Sequence, residues 1–284
     1  MKDMKTNIRS KFFGLALLAA MLPLCAHSQT LRGDFNMDGE VNVTDAVSMI
    51  NCLLKGSPGE VPPSDRDTLT VSGIPVVMVR VKAGTYTLQY GDVRTVESDF
   101  WIGQTEVTYE LWWEVMGREN YPSNEMLRHH AMQNVSWDEC QVFLDSLNRM
   151  TGRNFRLPYA DEWMFAASGG KLAIGYDYSG SSDIDEVAWY SENSGYINGG
   201  ISNDVATKAP NELGLYDMSG NVAEWVQEMK EYQTDNGVVR TAWVYGGHCV
   251  SPAENCRPTS WILKDPSTKY GDPCGLRLAL PVAE

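Results

Sequence analysis

The spacing of apolar residues predicts several short strands. A valine-rich run over 76–81 and an alternating segment over 85–90 are typical of two strands that enter a domain, separated by Gly84. Near the other end of the chain, the segments 243–250 and 275–280 also have the composition of strands. We expect these last two to be neighbours in one sheet.

Two helices are predicted between these strands by their first and last residues. Thr108 is a typical N-cap, and Gly117 ends the apolar stripe that follows it. Ser136 and Glu139 have the spacing of a capping box for a second helix, which we expect to end at Gly152. A mixed α+β domain is therefore predicted.

A third predicted helix follows Pro158 and ends at the glycines 169–170. From 171 to 210 the periodicity is lost, and Gly, Ser, Asn and Asp are frequent. So long an irregular stretch inside a compact domain needs something to hold it, and bound cations are our expectation.

The N-terminal segment 1–28 is predicted to be a signal peptide. Basic residues precede an apolar run over 12–24, and Ala26-His27-Ser28 has the small-x-small form of a cleavage site. The run is short for a membrane span, so no span is expected after cleavage. An exported protein, periplasmic, cell-surface or secreted, is predicted; lipidation of Cys25 is opposed by the bulky Leu24 before it.

Residues 34–45, DFNMDGEVNVTD, have the spacing of a calcium-binding loop, with Gly39 at the sharp turn. A helical stripe follows and ends at 55–56. This EF-hand-like loop and helix, 29–56, resembles one half of a dockerin, which implies a cohesin-like partner, although a second repeat is missing. Residues 57–72 are predicted to be a linker. The predicted calcium ligands are Asp34, Asn36, Asp38, Glu40 (through its carbonyl), Asn42 and Asp45.

Composition excludes some partners. The 284 residues carry a formal charge of -14, and no basic patch interrupts it, so nucleic acid and anionic lipid are not expected to bind. Apolar residues make up 43% of the chain, which is enough for one sizeable core.

The segment 211–225, NELGLYDMSGNVAEW, offers oxygen ligands instead of a regular periodicity. Asp217 and Glu224 bracket a turn at Gly220, and such a mixture of carboxylates and carbonyls suits calcium. The alternative interpretation is a buried turn with two solvated carboxylates.

Motifs from 105 onward resemble the sulfatase-modifying-factor family, which includes the formylglycine-generating enzyme. They are TEVT, NVSWDEC, FRLPYADEWMFAASGG, EVAWYSENS, PNELGLYDMSGNVAEW, GGHC, NCR and GLRLAL, in that order. The resemblance implies that 73–284 form a C-type-lectin-like domain with much irregular structure and bound calcium.

The family's calcium sites fall on residues of matching chemistry. One site corresponds to the side chains of Asp217 and Glu224 and the carbonyls of Gly220 and Val222. A second site corresponds to Asn193 and its neighbour Ser194, with Asn203 or Asp204 as candidates for a further ligand.

The family's oxidation of a sulfatase cysteine uses copper(I) held by two thiolates, three and eight residues beyond a Gly-Gly-Ser turn. In this chain the serine is replaced by His248, the first thiolate by Ser251, and only Cys256 is retained. Ala223 stands where the family has tryptophan. We interpret these changes as loss or change of the parent activity.

After cleavage the cysteines Cys52, Cys140, Cys249, Cys256 and Cys274 remain. Cys249 could replace the missing thiolate if the loop rearranged, or form a disulfide with Cys274. The sequence also allows a disulfide of Cys256, or buried free thiols. His248 is either hydrogen-bonded to backbone or part of a nitrogen–sulfur metal site with these thiols.

Three hypotheses of function follow. The first is a calcium-bound, non-catalytic module with a binding or scaffolding role in the cell envelope. The second is a copper-dependent oxidase that forms formylglycine, with Cys256, Cys249 and His248 as its catalytic residues. The third is binding of a peptide or glycan in a cleft under His248.

Overall fold

The computed structural model describes residues 65–88, 91–118, 125–195, 200–234, 237–269 and 271–282, which belong to one compact unit over 61–284. The predicted signal peptide, the calcium loop over 34–45 and Cys52 lie outside the described residues. Within the described ranges, no helix combines the length and the apolar content needed to cross a bilayer.

Strands and helices alternate irregularly, as expected for an α+β domain. The strands are β1 Arg66–Val71, β2 Ile74–Val81, β3 Gly84–Thr87, β4 Val93–Val96, β5 Phe100–Gly103, β6 Ala223–Thr234, β7 Gly237–Tyr245, β8 Trp261–Lys264, β9 Cys274–Gly275 and β10 Ala279–Pro281. The helices are α1 Tyr109–Met116, α2 Trp137–Thr151, α3 Ala160–Ala167 and α4 Ile184–Val187.

The strands form two larger sheets and a hairpin. One sheet has the order β1-β2-β5-β10 and the other β8-β7-β6-β9, while β3 pairs with β4. The prediction that 243–250 and 275–280 are neighbouring strands is wrong, because β6 lies between β7 and β9, and β10 belongs to the first sheet.

The predicted linker over 57–72 is too long at its C-terminal end. Residues Arg66 to Val71 form β1, and every one of them is paired with β2 in antiparallel register. The ordered domain therefore begins before residue 73, because β1 supplies the edge strand that covers β2.

Helices begin where local hydrogen bonds predict. Thr108 Oγ1 accepts a hydrogen bond from the Leu111 N–H at the start of α1. At α2, Ser136 Oγ accepts from the Glu139 N–H, and the Glu139 carboxylate accepts from the Ser136 N–H, which confirms the capping box. Both satisfy N–H groups that a helix start leaves unpaired.

The largest buried side chains join helices to sheets. Trp112 of α1 and Phe143 of α2 stack with ring centroids 4.7 Å apart. Trp225 of β6 is fully buried, and its Nε1–H donates to the Val135 carbonyl just before α2. This packing fixes the start of β6, and with it the end of the irregular segment that precedes the strand.

The irregular segment after α3 is confirmed, and a side-chain amide holds part of it. Asn211 is buried; its Nδ2 donates to the Ala166 carbonyl at 2.8 Å, and its Oδ1 accepts from the N–H groups of Leu213 and Leu215. Such side-chain bonds satisfy buried backbone groups that no strand or helix pairs.

Replacing Ser136 with Ala removes half of the capping box. We expect Ser136→Ala to lower the free energy of unfolding by about 1 kcal/mol, measured by urea denaturation. Ser146→Ala, within the same helix, is the matched control and should be neutral or stabilising, since Ala is the better helix former. Equal losses from both variants would contradict the cap's role.

Candidate functional site

An ion pair without solvent contact joins Glu224, in the segment 211–225, to Arg277 near the C-terminus. Glu224 and Arg277 both have 0% exposure. Arg277 Nη2 is 2.7 Å from Glu224 Oε1, and its Nε lies 3.1 and 3.0 Å from the two carboxylate oxygens. The Trp163 indole N–H donates to Glu224 Oε2 at 2.6 Å. Both oxygens of Glu224 are therefore occupied.

The other donors of Arg277 reach backbone carbonyls. Nη1 donates to Gly103 at the end of β5 at 3.0 Å, and Nη2 donates to Tyr216 at 2.8 Å. One guanidinium thus joins β5, the irregular segment before β6, and β6 itself. Its planar fork of donors suits this combination of a bidentate carboxylate and fixed carbonyls.

The calcium set implied by the family does not fit this arrangement. That set needs the carboxylate of Glu224, but Arg277 already places a positive charge on both of its oxygens. Asp217 Oδ2 accepts from the Ala206 N–H at 2.7 Å. Gly220 is required for packing, since a Cβ there would lie 2.2 Å from the Trp189 carbonyl oxygen. Among the described residues, no group of three or more His, Cys, Asp or Glu could hold a metal ion.

Asn193 has a local role in its loop. Its Oδ1 accepts from the Tyr190 N–H at 2.9 Å, and its Nδ2 donates to the Ala188 carbonyl at 3.0 Å. Of the two candidates for a further ligand, Asn203 donates to Ser194 Oγ, whereas Asp204 lies against His130, 3.5 Å from its Nε2. The amide of Asn193 is therefore occupied by backbone.

A second buried carboxyl, near Asp217, was not predicted from the sequence. Glu106 is 2% exposed, and its Oε1 accepts from the Asn221 amide at 3.1 Å. Burial, followed by repulsion from Asp217, raises the pKa of Glu106 well above its usual value. Burial likewise raises the pKa of Asp217 to about 6. The only sequence signal for Glu106 is an acidic residue inside the otherwise uncharged stretch 100–109.

The connection between β7 and β8, residues 246–260, brings His248 next to Ser251; we call it the β7–β8 loop. The His248 N–H donates to Ser251 Oγ at 3.0 Å, and His248 Nδ1 is also 3.0 Å from that oxygen. Burial lowers the pKa of His248 to about 4, so its imidazole is neutral at pH 7. The imidazole is thus hydrogen-bonded to the side chain of Ser251 and not to backbone, which was the simpler of the two interpretations of the sequence.

The described cysteines Cys140, Cys249, Cys256 and Cys274 are free and buried. Of the alternatives that the sequence left open, buried free thiols are therefore found for these four cysteines, and the Cys249–Cys274 disulfide is not formed. Cys249 lies in a turn, where its N–H donates to the Asn221 carbonyl, while Cys274 lies in β9 across β6. Burial raises the pKa of Cys249 to about 11 and that of Cys256 to about 12. Both thiols are thus protonated at neutral pH.

The pocket beside His248 is small. Its volume is about 30 Å³, and its walls include Asn255, Trp261 and Lys264. Such a volume admits roughly two water molecules, not a peptide or a sugar. A larger cavity of about 280 Å³ lies elsewhere, lined by Glu106, Thr108 and His129 among others.

Replacing Arg277 by Met leaves Glu224 buried and unpaired. We expect Arg277→Met to lower the free energy of unfolding by about 3–5 kcal/mol in urea denaturation. The matched control is Arg80→Met, which breaks the partly exposed pair with Asp99 and should cost less than about 1 kcal/mol. Similar losses for the two variants would show that the buried pair has no special weight.

Comparisons with known proteins agree with this architecture. The chain is 30% identical over 251 residues to the chaperone protein LppX of Paenibacillus barcinonensis, covering 71% of this chain and 88% of that protein. The Treponema denticola variable protein 1 superimposes with a TM-score of 0.64 at 24% identity, covering 78% of this chain and 100% of that one. CarF gives a TM-score of 0.60 at 24% identity, covering 74% and 99%.

These two structures share the fold. The family model described as "Sulfatase-modifying factor enzyme 1-like domain" matches residues 71–282, which include every strand after β1, the Glu224–Arg277 pair and His248. The chain therefore belongs to the sulfatase-modifying-factor family.

Proposed function

We propose that this chain is a non-catalytic member of its family that binds other polypeptides in the cell envelope. The observation that carries the proposal is Ser251, a hydroxyl at a position where copper(I) chemistry needs a thiolate. The relative named as a chaperone, LppX, supports a role in binding proteins.

The remaining thiols do not fit a copper(I) centre. Cys256 donates towards the Pro252 carbonyl and Cys249 towards the Ile201 carbonyl, so each has its own backbone partner. Their raised pKa values oppose the thiolate form that copper(I) selects. No catalytic step through copper is therefore derived for Cys249, Cys256 or His248.

Anaerobic copper(I) titration tests this conclusion. We expect no stoichiometric tight binding by the wild-type protein, because the thiolate pair is incomplete. Ser251→Cys restores a thiol at the missing position and should gain binding of one copper ion. The same samples are incubated with dioxygen and a cysteine-bearing sulfatase peptide.

Aldehyde formation in that peptide by the wild type, lost in Cys256→Ala, would establish the competing function, a copper-dependent oxidase. Tight binding of copper by the wild type that also disappears in Cys256→Ala would equally overturn the non-catalytic assignment.

An exposed apolar strand offers a surface for polypeptide binding. Trp261, Ile262 and Leu263 of β8 are 53%, 45% and 42% exposed. In the described part of the chain, β8 is the outer strand of its sheet. Natural proteins usually protect such edges, because unpaired backbone groups beside apolar side chains recruit another strand. An extended apolar segment of an unfolded client protein satisfies both features.

Placing a charge on this strand tests the assignment. We expect the protein to suppress aggregation of reduced insulin B chain, measured by light scattering, and Ile262→Lys to lose most of that effect. Ile174→Lys is the matched control, since Ile174 is exposed but lies outside any strand. If Ile262→Lys protects as well as the control, β8 is not the docking strand.

The N-terminal proposals rest on sequence alone. They are export by the segment 1–28 and calcium binding by the loop 34–45, with a cohesin-like partner for the segment 29–56.

A further inference from the structure

The register of β8 shows which of its backbone groups face outward. The Gly246 N–H donates to the Ser260 carbonyl at 3.4 Å, one step before the first of the pairs between β7 and β8. Because hydrogen-bonded and non-hydrogen-bonded pairs alternate along an antiparallel ladder, Trp261 and Leu263 belong to non-hydrogen-bonded pairs. Their N–H and C=O groups therefore point away from β7. Among the described residues, no backbone hydrogen bond outside the ladder reaches either of them.

The side chains of these two residues lie on one face of the sheet, since successive side chains of a strand alternate. Trp243 of β7 is directly opposite Leu263 and shares that face. Its ring is covered by Lys230 of β6, whose Nζ is 5.0 Å from the ring centroid. Trp261 and Leu263 thus form an exposed apolar strip along the outer edge, and the same two residues offer the outward-pointing backbone groups.

Both ends of β8 carry an exposed carboxylate. Asp265 directly follows the strand, and hydrogen bonds from the side chain and the N–H of Ser267 lower its pKa, so it is ionised at neutral pH. Glu254 lies at the other end, where Ser260 Oγ donates to its carbonyl at 3.0 Å. In the part of the chain that the structure describes, the Glu254 side chain is exposed and makes no ion pair.

Cationic side chains around β8 are already paired with carboxylates. These pairs are Lys264 with Asp272 at 2.7 Å, Lys269 with Glu139 at 2.7 Å, and Arg257 with Asp177 at 3.3 Å. The ends of β8 therefore present negative charge, and the whole chain has a formal charge of -14. Such a field attracts a basic partner and repels a second copy of this acidic chain.

We propose that β8 binds extended apolar segments flanked by lysine or arginine, which add to it as an antiparallel strand. This inference rests on the proposed function and specifies the class of client. Client residues opposite Trp261 and Leu263 exchange backbone hydrogen bonds with them and share their face, so alternate positions of the client are apolar. The basic residues at the ends of the client lie near Glu254 and Asp265.

Fluorescence anisotropy of the full chain with a labelled synthetic peptide tests the client class. The probe alternates valine and threonine and has two lysines at each end. We expect it to bind roughly tenfold more tightly at low ionic strength than the same peptide with glutamates at its ends, because the charges at the ends of β8 are solvent-exposed. The difference should shrink as salt is added.

Methylation of backbone nitrogens in the probe tests the pairing. In an antiparallel addition, the valines whose side chains lie against Trp261 and Leu263 also donate their N–H groups to β8. We expect N-methylation of the valines to abolish binding. N-methylation of the threonines is the matched control and should be tolerated, since those N–H groups point away from β8.

Reversing one charge on the protein tests the role of the strand's ends. We expect Glu254→Lys to weaken binding of the lysine-flanked probe about threefold or more at low ionic strength. Glu97→Lys makes the same change in net charge at an exposed position between β4 and β5, and should leave the affinity unchanged. Equal effects of the two variants would mean that only the overall charge of the chain matters.

The outcomes separate this inference from the proposed function. Equal affinity for the lysine-flanked and glutamate-flanked probes, both lost in Ile262→Lys, would overturn the basic client class while leaving β8 as the docking strand. A dimer in sedimentation that Ile262→Lys dissociates would show that a second copy occupies the edge, and would also overturn it. Failure of the proposed function appears instead as absent protection of reduced insulin B chain.

Discussion

The buried pair of Glu224 and Arg277 is the interaction on which the architecture of this domain depends. The two residues are 53 positions apart in the chain, yet both are completely removed from water. Ionised groups tolerate such burial only when their geometry and remaining hydrogen bonds are complete. Here the carboxylate has the guanidinium and an indole N–H, and the guanidinium also reaches carbonyls from two other segments. The C-terminal residues are thereby locked to β5 and to β6.

This arrangement separates the scaffold of the family from its chemistry. The segment 211–225 is held by hydrogen bonds of Arg277, Trp225 and Asn211, none of which lies in the β7–β8 loop. Residues 248 and 251 can therefore differ from those of the family while these three contacts are kept. His248 and Ser251 now bond each other, and the nearby thiols are buried and protonated. A fold of this kind is retained while the function of its site changes.

Features with local causes were predictable from the sequence. The starts of α1 and α2 were predicted correctly, because each cap is formed by residues three positions apart. The neighbours of β7 were not predicted correctly, because strand order depends on contacts between distant segments that no local pattern encodes. The alternative of a Cys249–Cys274 disulfide assumed that those two strands were adjacent, and it is not formed for the same reason. Glu106 was not predicted as a site residue, because its burial near Asp217 is a consequence of the fold and not of any local pattern.

The irregular segment shows why oxygen-rich sequence alone does not identify a metal site. Asn193 and Glu224 were predicted to coordinate calcium, but in the structure the Asn193 amide donates to the Ala188 carbonyl, and both oxygens of Glu224 accept from Arg277. Among the described residues, Asp217 Oδ1 has no hydrogen-bond donor, whereas both oxygens of Glu224 accept from Arg277. The loop around Asp217 is ordered by hydrogen bonds of its own, such as the one that the Ala206 N–H donates to Asp217 Oδ2.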